Sequence, residues 1–187
     1  MNDQIESYNF FSSLFLNLPD KTFVENLLNL DFFAEEPGAD LIKKYLQSVE
    51  GKSIDDIFIE ISVDRTHLLH GLTQNGPRPP YESVYTNESQ QDAMLNLNKM
   101  YASVGFSVST EAHQPSDYLG IELAFMQELY KQGETTDELR KTFFNAHLKK
   151  WGHLFAAEMI KFAKTDFYRG IGHLLDAFLK EEAEQYA

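Results

Sequence analysis

Apolar residues return every third or fourth position along almost the whole chain, and this spacing constrains the fold more than any other feature. Ile5, Tyr8, Phe11, Phe15 and Leu18 form the first run, which ends at Pro19. Phe23, Leu27 and Leu30 form a second behind Asp20, a residue suited to cap a helix. Leu41, Ile42, Tyr45, Leu46 and Val49 form a third, closed by Gly51. Ser53 then opens a long run through Ile54, Ile57, Ile61, Leu68 and Leu69 to His70. Ile57, Ile59, Ile61 and Val63 also alternate as a strand would. The pattern outlasts ordinary strand length, so the spacing predicts a helix.

Residues 71–82 interrupt the pattern with two glycines and three prolines, and Pro79–Pro80 cannot continue a helix. Helical spacing resumes over 88–104, stops in a polar loop at 105–116, and returns over 117–132. That last helix is apolar nearly all round, as a central bundle helix is. Two more are predicted over 136–163 and 166–184. The expected fold is all-α: one multi-helix, bundle-like domain over residues 1–187, with a Pro-rich hinge loop near 71–82.

Charge and composition narrow the function. Apolar residues make up 43% of the chain, enough to pack a core. The net charge is −13, and it is unevenly placed: 13 acids face 5 bases in residues 1–66, 7 face 2 in 67–130, and 9 face 9 in 131–187. Such a chain repels nucleic-acid phosphate and anionic lipid; its acidic part is either a solvated surface or one that attracts a basic partner. The absence of cysteine removes disulfides, iron–sulfur clusters and thiol nucleophiles. Asp3 and Glu6 precede the first apolar run where a secretory signal needs Lys or Arg, and no stretch reaches the ~18 apolar residues of a membrane helix. The expectation is a cytoplasmic protein without stable membrane insertion.

Catalytic and cofactor patterns find little support. Glu-x-x-His and His-Glu-x-x-His are absent, and His67 with His70 lack a third ligand nearby, so no metal is expected. Gly71 to Gly76 has phosphate-loop spacing, but Pro77–Arg78 stand where Lys and Ser/Thr are needed. Gly170-Ile171-Gly172 lies inside a helical pattern and reads as close helix packing. No Gly-x-Ser-x-Gly occurs. Neither an enzyme nor a cofactor is expected.

Three segments, in order, resemble the TorD/DmsD (NarJ-like) family of molybdoenzyme maturation chaperones. The first is Leu68-Leu69-His70-Gly71 followed by Pro79-Pro80-Tyr81-Glu82-Ser83-Val84-Tyr85. The second runs from Gln114-Pro115-Ser116-Asp117-Tyr118 to Glu122-Leu123-Ala124-Phe125-Met126. The third holds Phe143, His147-Leu148, Trp151 and Phe155, then Phe167-Tyr168. The likeness spans roughly residues 60–180. Gln114 stands where the family usually has Glu, and Tyr118 where it usually has His.

The resemblance implies an all-helical, cytoplasmic chaperone. It would bind the twin-arginine leader, and the body, of a molybdopterin-dependent oxidoreductase precursor, and delay export until cofactor insertion. Two rival readings stand beside it: an assembly subunit of a membrane oxidoreductase, as the nitrate-reductase branch of the family suggests, and a guanine-nucleotide-binding helper in cofactor insertion, against which the missing Lys and Ser/Thr after Gly76 count. Such a protein is a monomer or, through exchange at the 71–82 loop, a domain-swapped dimer. A cationic leader with an apolar stretch calls for carboxylates and an apolar groove. The candidate peptide-binding residues are Leu69, Pro80, Tyr81, Glu82, Ser83, Tyr85, Gln114, Asp117, Tyr118, Glu122, His147 and Trp151. Asp117, at a helix start, is read as the better guanidinium contact, with a first-turn acid as the alternative. Glu122 reads as a structural acid with a buried partner, Trp151 as core, and His147 as either core or contact. Pro79, Pro80, Tyr81 and Tyr85 form either an aromatic wall or a tight connection, and Glu82 and Ser83 are candidate caps.

Overall fold

The computed structural model describes residues 2–29, 37–71, 75–108 and 114–186. Leu30, the middle of the Gly71–Gly76 loop and part of the 105–116 loop lie outside these residues. The described elements are helical: α1 (Asn2–Leu16), α2 (Lys21–Leu28), α3 (Pro37–Ser48), α4 (Ile54–His70), α5 (Glu82–Tyr85), α6 (Gln90–Ser103), α7 (Leu119–Lys131), a 3-10 turn (Gly133–Thr136), α8 (Asp137–Ala146), α9 (Leu148–Phe162) and α10 (Asp166–Gln185). No strand occurs among the described residues, and the all-α reading holds.

Local chemistry explains most boundaries. The Asp20 carboxylate accepts from the Phe23 amide at 2.7 Å and starts α2. Ser53 accepts from the Asp56 amide at 3.1 Å while its hydroxyl donates to the Asp56 carboxylate, and α4 closes on Gly71 in the left-handed region at φ 58°. A Cβ at Gly71 would also lie 2.9 Å from the Pro79 ring. In α4 the apparent strand alternation resolves: Ile57 and Ile61 are buried one turn apart, and Ile59 and Val63 are exposed on the other side.

The chain forms two compact units, each assembled from separated segments. The first comprises Met1–Asn17, Pro80–His153 and Phe178–Ala187. Here α1 packs along α7, with Tyr8, Phe11 and Phe15 buried, and Tyr101, Phe125 and Phe143 stack nearby. The second comprises Leu18–Pro79 and Leu154–Ala177. Its core includes Val24, Ile42, Ile61, Leu68, Met159 and Ile171, all fully or almost fully buried.

Two elements depart from expectation. The helix predicted over 136–163 is two helices, α8 and α9, broken at His147 with φ −121° and ψ −91°. The helix expected from residue 117 begins at Leu119, because Ser116–Asp117 form a turn.

In the second unit the start of α10 is held from a distance. The Asp64 carboxylate of α4, 1% exposed, accepts from the Lys164 and Thr165 amides and from the Thr165 hydroxyl at 2.7 Å. It fixes the two residues before the helix, and the Thr165 oxygen in turn accepts from the Tyr168 amide in the first turn, a donor that a helix start leaves open. Asp64→Ala should cost ~2–3 kcal/mol, as charged hydrogen bonds to buried donors do, and Asp64→Asn less. Urea unfolding measures this, and an alanine variant as stable as the parent would show that water can replace the carboxylate.

Candidate functional site

Eleven of the twelve candidate residues gather on three neighbouring pieces of the first unit: the stretch 80–85, the turn at 114–118, and α7 with the segment 147–151. An isolated antiparallel bridge between Tyr81 and Tyr118 joins the first two. The Leu119 amide donates to the Pro80 carbonyl at 3.0 Å, and the Glu82 amide donates to the Asp117 carbonyl at 2.8 Å. Proline suits this place because only its carbonyl is used. With the bridge formed, α5 turns immediately after Tyr81. The twelfth, Leu69, is buried in α4 of the second unit.

The cap of α5 comes from elsewhere in the chain. Tyr81 offers no side-chain cap. Instead Asp117 accepts from the Ser83 hydroxyl at 2.6 Å, with the Ser83 amide 3.4 Å from the same oxygen. Glu82 turns inward, and its carboxylate lies 2.9 and 3.0 Å from His147 Nδ1. The carboxylate only accepts, so Nδ1 carries the hydrogen. His147, held by this bond, is the residue at which the chain leaves helical geometry between α8 and α9. Ser83 and Glu82 therefore do not cap the following segment; each fastens α5 to another part of the unit.

Glu122 is fully buried on α7 and accepts from the Trp151 indole N–H at 3.2 Å. Burial pushes its carboxyl well above the usual range, Glu82 and Asp117 push it further, and only the indole bond opposes them. Tyr101 donates to the Ser116 carbonyl at 2.9 Å; burial, then Glu122, Glu82 and Asp117, raise its phenol. Trp151 stacks on Tyr85 at 5.5 Å between centroids.

Both departures from the family pattern have partners. The Tyr81 hydroxyl donates to Gln114 Oε1 at 3.1 Å, and the Tyr118 hydroxyl donates to the Phe15 carbonyl at 2.9 Å, at the end of α1. Tyr118 thus does a packing job that an imidazole could not reach as far to do.

The candidates divide by exposure. Pro80, Glu82, Asp117, Tyr118, Glu122, His147 and Trp151 are buried, while Tyr81, Ser83, Tyr85 and Gln114 are part-exposed beside exposed Val84. Beside them, α6 carries an open hollow of about 390 Å³ lined by Gln90, Gln91, Met94, Leu95 and Asn98. Asn98 accepts from the Ser116 hydroxyl at 2.6 Å, which ties the hollow to the 114–118 turn. Val84, Met94, Leu95 and Asn98 escaped the sequence reading. The signal was present in Leu95, an apolar residue off the buried face defined by Ala93, Leu97 and Tyr101. Among the described residues, no group of three acidic or histidine side chains is placed to hold a metal, and no helix is long and apolar enough to cross a membrane.

This arrangement of helices is a known one. The fold matches a crystal structure from Archaeoglobus fulgidus, assigned as a redox enzyme maturation protein, with a TM-score of 0.54 at 19% identity over 94% of this chain and 93% of that one. The profile of the family described as nitrate reductase delta subunit matches residues 36–157, and the chain belongs to that family, which takes in the TorD- and NarJ-like proteins. Similar relatives include the Chaperone protein TorD of Vibrio parahaemolyticus, 26% identical over 78% of this chain and 72% of the relative. The Chaperone protein TorD of Photobacterium profundum is 27% identical over 71% and 66%.

Proposed function

We propose that this chain is a cytoplasmic redox-enzyme maturation chaperone that binds the twin-arginine leader of a molybdoenzyme precursor. It would hold the precursor until its cofactor is inserted. One observation carries the reading: the bridge at Tyr81 and Tyr118 joins two family-like segments that lie far apart in the chain, and leaves an aromatic, part-exposed face. Tyr81, Val84 and Tyr85 suit the apolar stretch of a leader, with Gln114 and the α6 hollow beside them. Asp117 is fully buried and occupied by Ser83, so in this reading it positions the face rather than meeting guanidinium directly. The net charge of −13 would speed encounter with a basic leader.

The test is titration of a labelled synthetic leader against a copy with both arginines changed to alanine. Tyr81→Ala should weaken leader binding about tenfold, equivalent to ~1.4 kcal/mol, with melting unchanged. Affinity should also fall as salt rises. Equal binding of the two peptides would overturn the leader assignment. The family's description as a delta subunit supports a second reading, a lasting subunit of the client complex. Co-purification separates them, since a chaperone leaves the mature enzyme and a subunit stays.

A further inference from the structure

Three carboxyl groups lie buried around α5 in the first unit, each 2% exposed or less. Glu82 is matched by His147, and Asp117 by Ser83. Among the described residues Glu122 has only a neutral indole N–H. Asp117 Oδ1 and Glu122 Oε1 are buried without a hydrogen-bond partner among the described residues. A buried anionic oxygen without a partner is costly, whereas a neutral carboxyl loses that penalty and gains an O–H donor.

We propose that these groups form a proton-operated fastener: with a proton on Glu122 the cluster holds α5 in place, and when that proton passes to solvent α5 loosens. The groups facing Glu122 are Glu82 from α5, Asp117 from the turn before α7, Tyr101 from α6 and Trp151 from α9, with His147 one bond further on through Glu82. Of those that act on its carboxyl, the two acids and burial favour the neutral form, and the indole alone favours the charged one. Ionisation places a third negative charge beside Glu82 and Asp117. Those two residues are the ones that secure α5, so the repulsion falls on its fastenings. The device stands whatever the client is.

The direction with pH follows from linkage. A carboxyl raised in the folded state leaves stability intact below its ordinary value of 4.5 and removes it as pH rises through the folded value. Glu182, also buried in this unit and raised chiefly by burial, contributes with the same sign, so global melting does not separate the two. Trp151 does. It is the only tryptophan and is bonded to Glu122.

The experiment follows Trp151 emission and amide exchange of residues 82–85 against pH in the folded wild type, Glu122→Gln and Glu182→Gln. In the wild type and Glu182→Gln, emission should titrate above pH 4.5. Exchange in α5, corrected for intrinsic base catalysis, should rise about fivefold or more across that transition. Glu122→Gln should show neither change. An emission titration that persists in Glu122→Gln, or α5 protection that stays flat across the wild-type transition, would overturn the proposal. Should Glu122→Gln fail to fold, carbon-13 titration of the wild-type Glu122 carboxyl decides. A midpoint above 4.5 that coincides with loss of α5 protection supports the fastener, and any other result overturns it.

Discussion

Gly170→Ala should unfold this protein at a markedly lower temperature than the parent. A Cβ at Gly170 would lie 2.5 Å from the Gly38 carbonyl oxygen and 2.7 Å from Ile42 Cγ1, so α3 and α10 touch backbone to backbone there, within the second unit. Gly38 is the reciprocal contact, with its own Cβ position 2.6 Å from the Gly170 carbonyl. Alanine inside a helix normally gains ~1 kcal/mol over glycine. Overpacking a close contact costs ~1–3 kcal/mol or more, and a carbonyl cannot swing aside as a side-chain end can. With a rigid carbonyl in the way the cost falls at the upper end of that range, so the clash wins with a net loss of about 2 kcal/mol, or roughly 4–8 °C for a chain of this size. Gly172→Ala should lose less, because its neighbours stand at 3.0–3.1 Å. Gly152→Ala should lose least, since it meets chiefly the flexible end of Leu179. Calorimetry of the three variants tests the order. A Gly170→Ala protein that melts with the parent would mean the two helices do not approach this closely.

Gly170-Ile171-Gly172 also shows how far sequence reading reaches. Two glycines in a helical pattern announce a close approach, and the pattern places them in α10. The partner, Gly38, is 132 residues away and carries no local mark. The same division runs through the whole molecule. Asp20 and Ser53 announced their helices because a cap acts on amides two or three residues away. Asp64 reaches 101 residues to Thr165, and nothing near either residue says so. At the candidate site, the motif segments named residues that the fold brings together. Burial of Asp117 and the departure of Leu69 into the second unit were set by packing, which a string of short motifs does not encode. The break at His147 is the sharpest case. No glycine or proline marks it, and the spacing of Phe143, Trp151 and Phe155 runs through it as if one helix continued. The residue at the break is bonded to Glu82, 65 residues earlier, a contact no local pattern announces.

That bond carries the second large effect. His147→Ala should destabilise the protein by ~2–4 kcal/mol, because the Glu82 carboxyl would remain 2% exposed without its hydrogen-bond partner and a cavity would open where the ring stood. Glu82→Ala should cost nearly as much, through loss of the bond and a cavity between α5 and the start of α9. The double variant should cost clearly less than the two singles together, with a coupling of at least ~1.5 kcal/mol, since neither residue is then left alone. The backbone adds a distinct signature. At φ −121° and ψ −91°, His147 stands outside helical geometry. Once the side chain no longer reaches Glu82, residues 146–148 are free to join α8 to α9. Amide exchange at Leu148 should then slow in the double variant while Trp151, still bonded to Glu122, keeps its emission. Additive losses, with a break that persists at residue 147, would assign the bend to packing of Phe143 and Leu148 instead. A coupled loss with the break healed would make this single buried pair the reason the last third of the chain turns where it does.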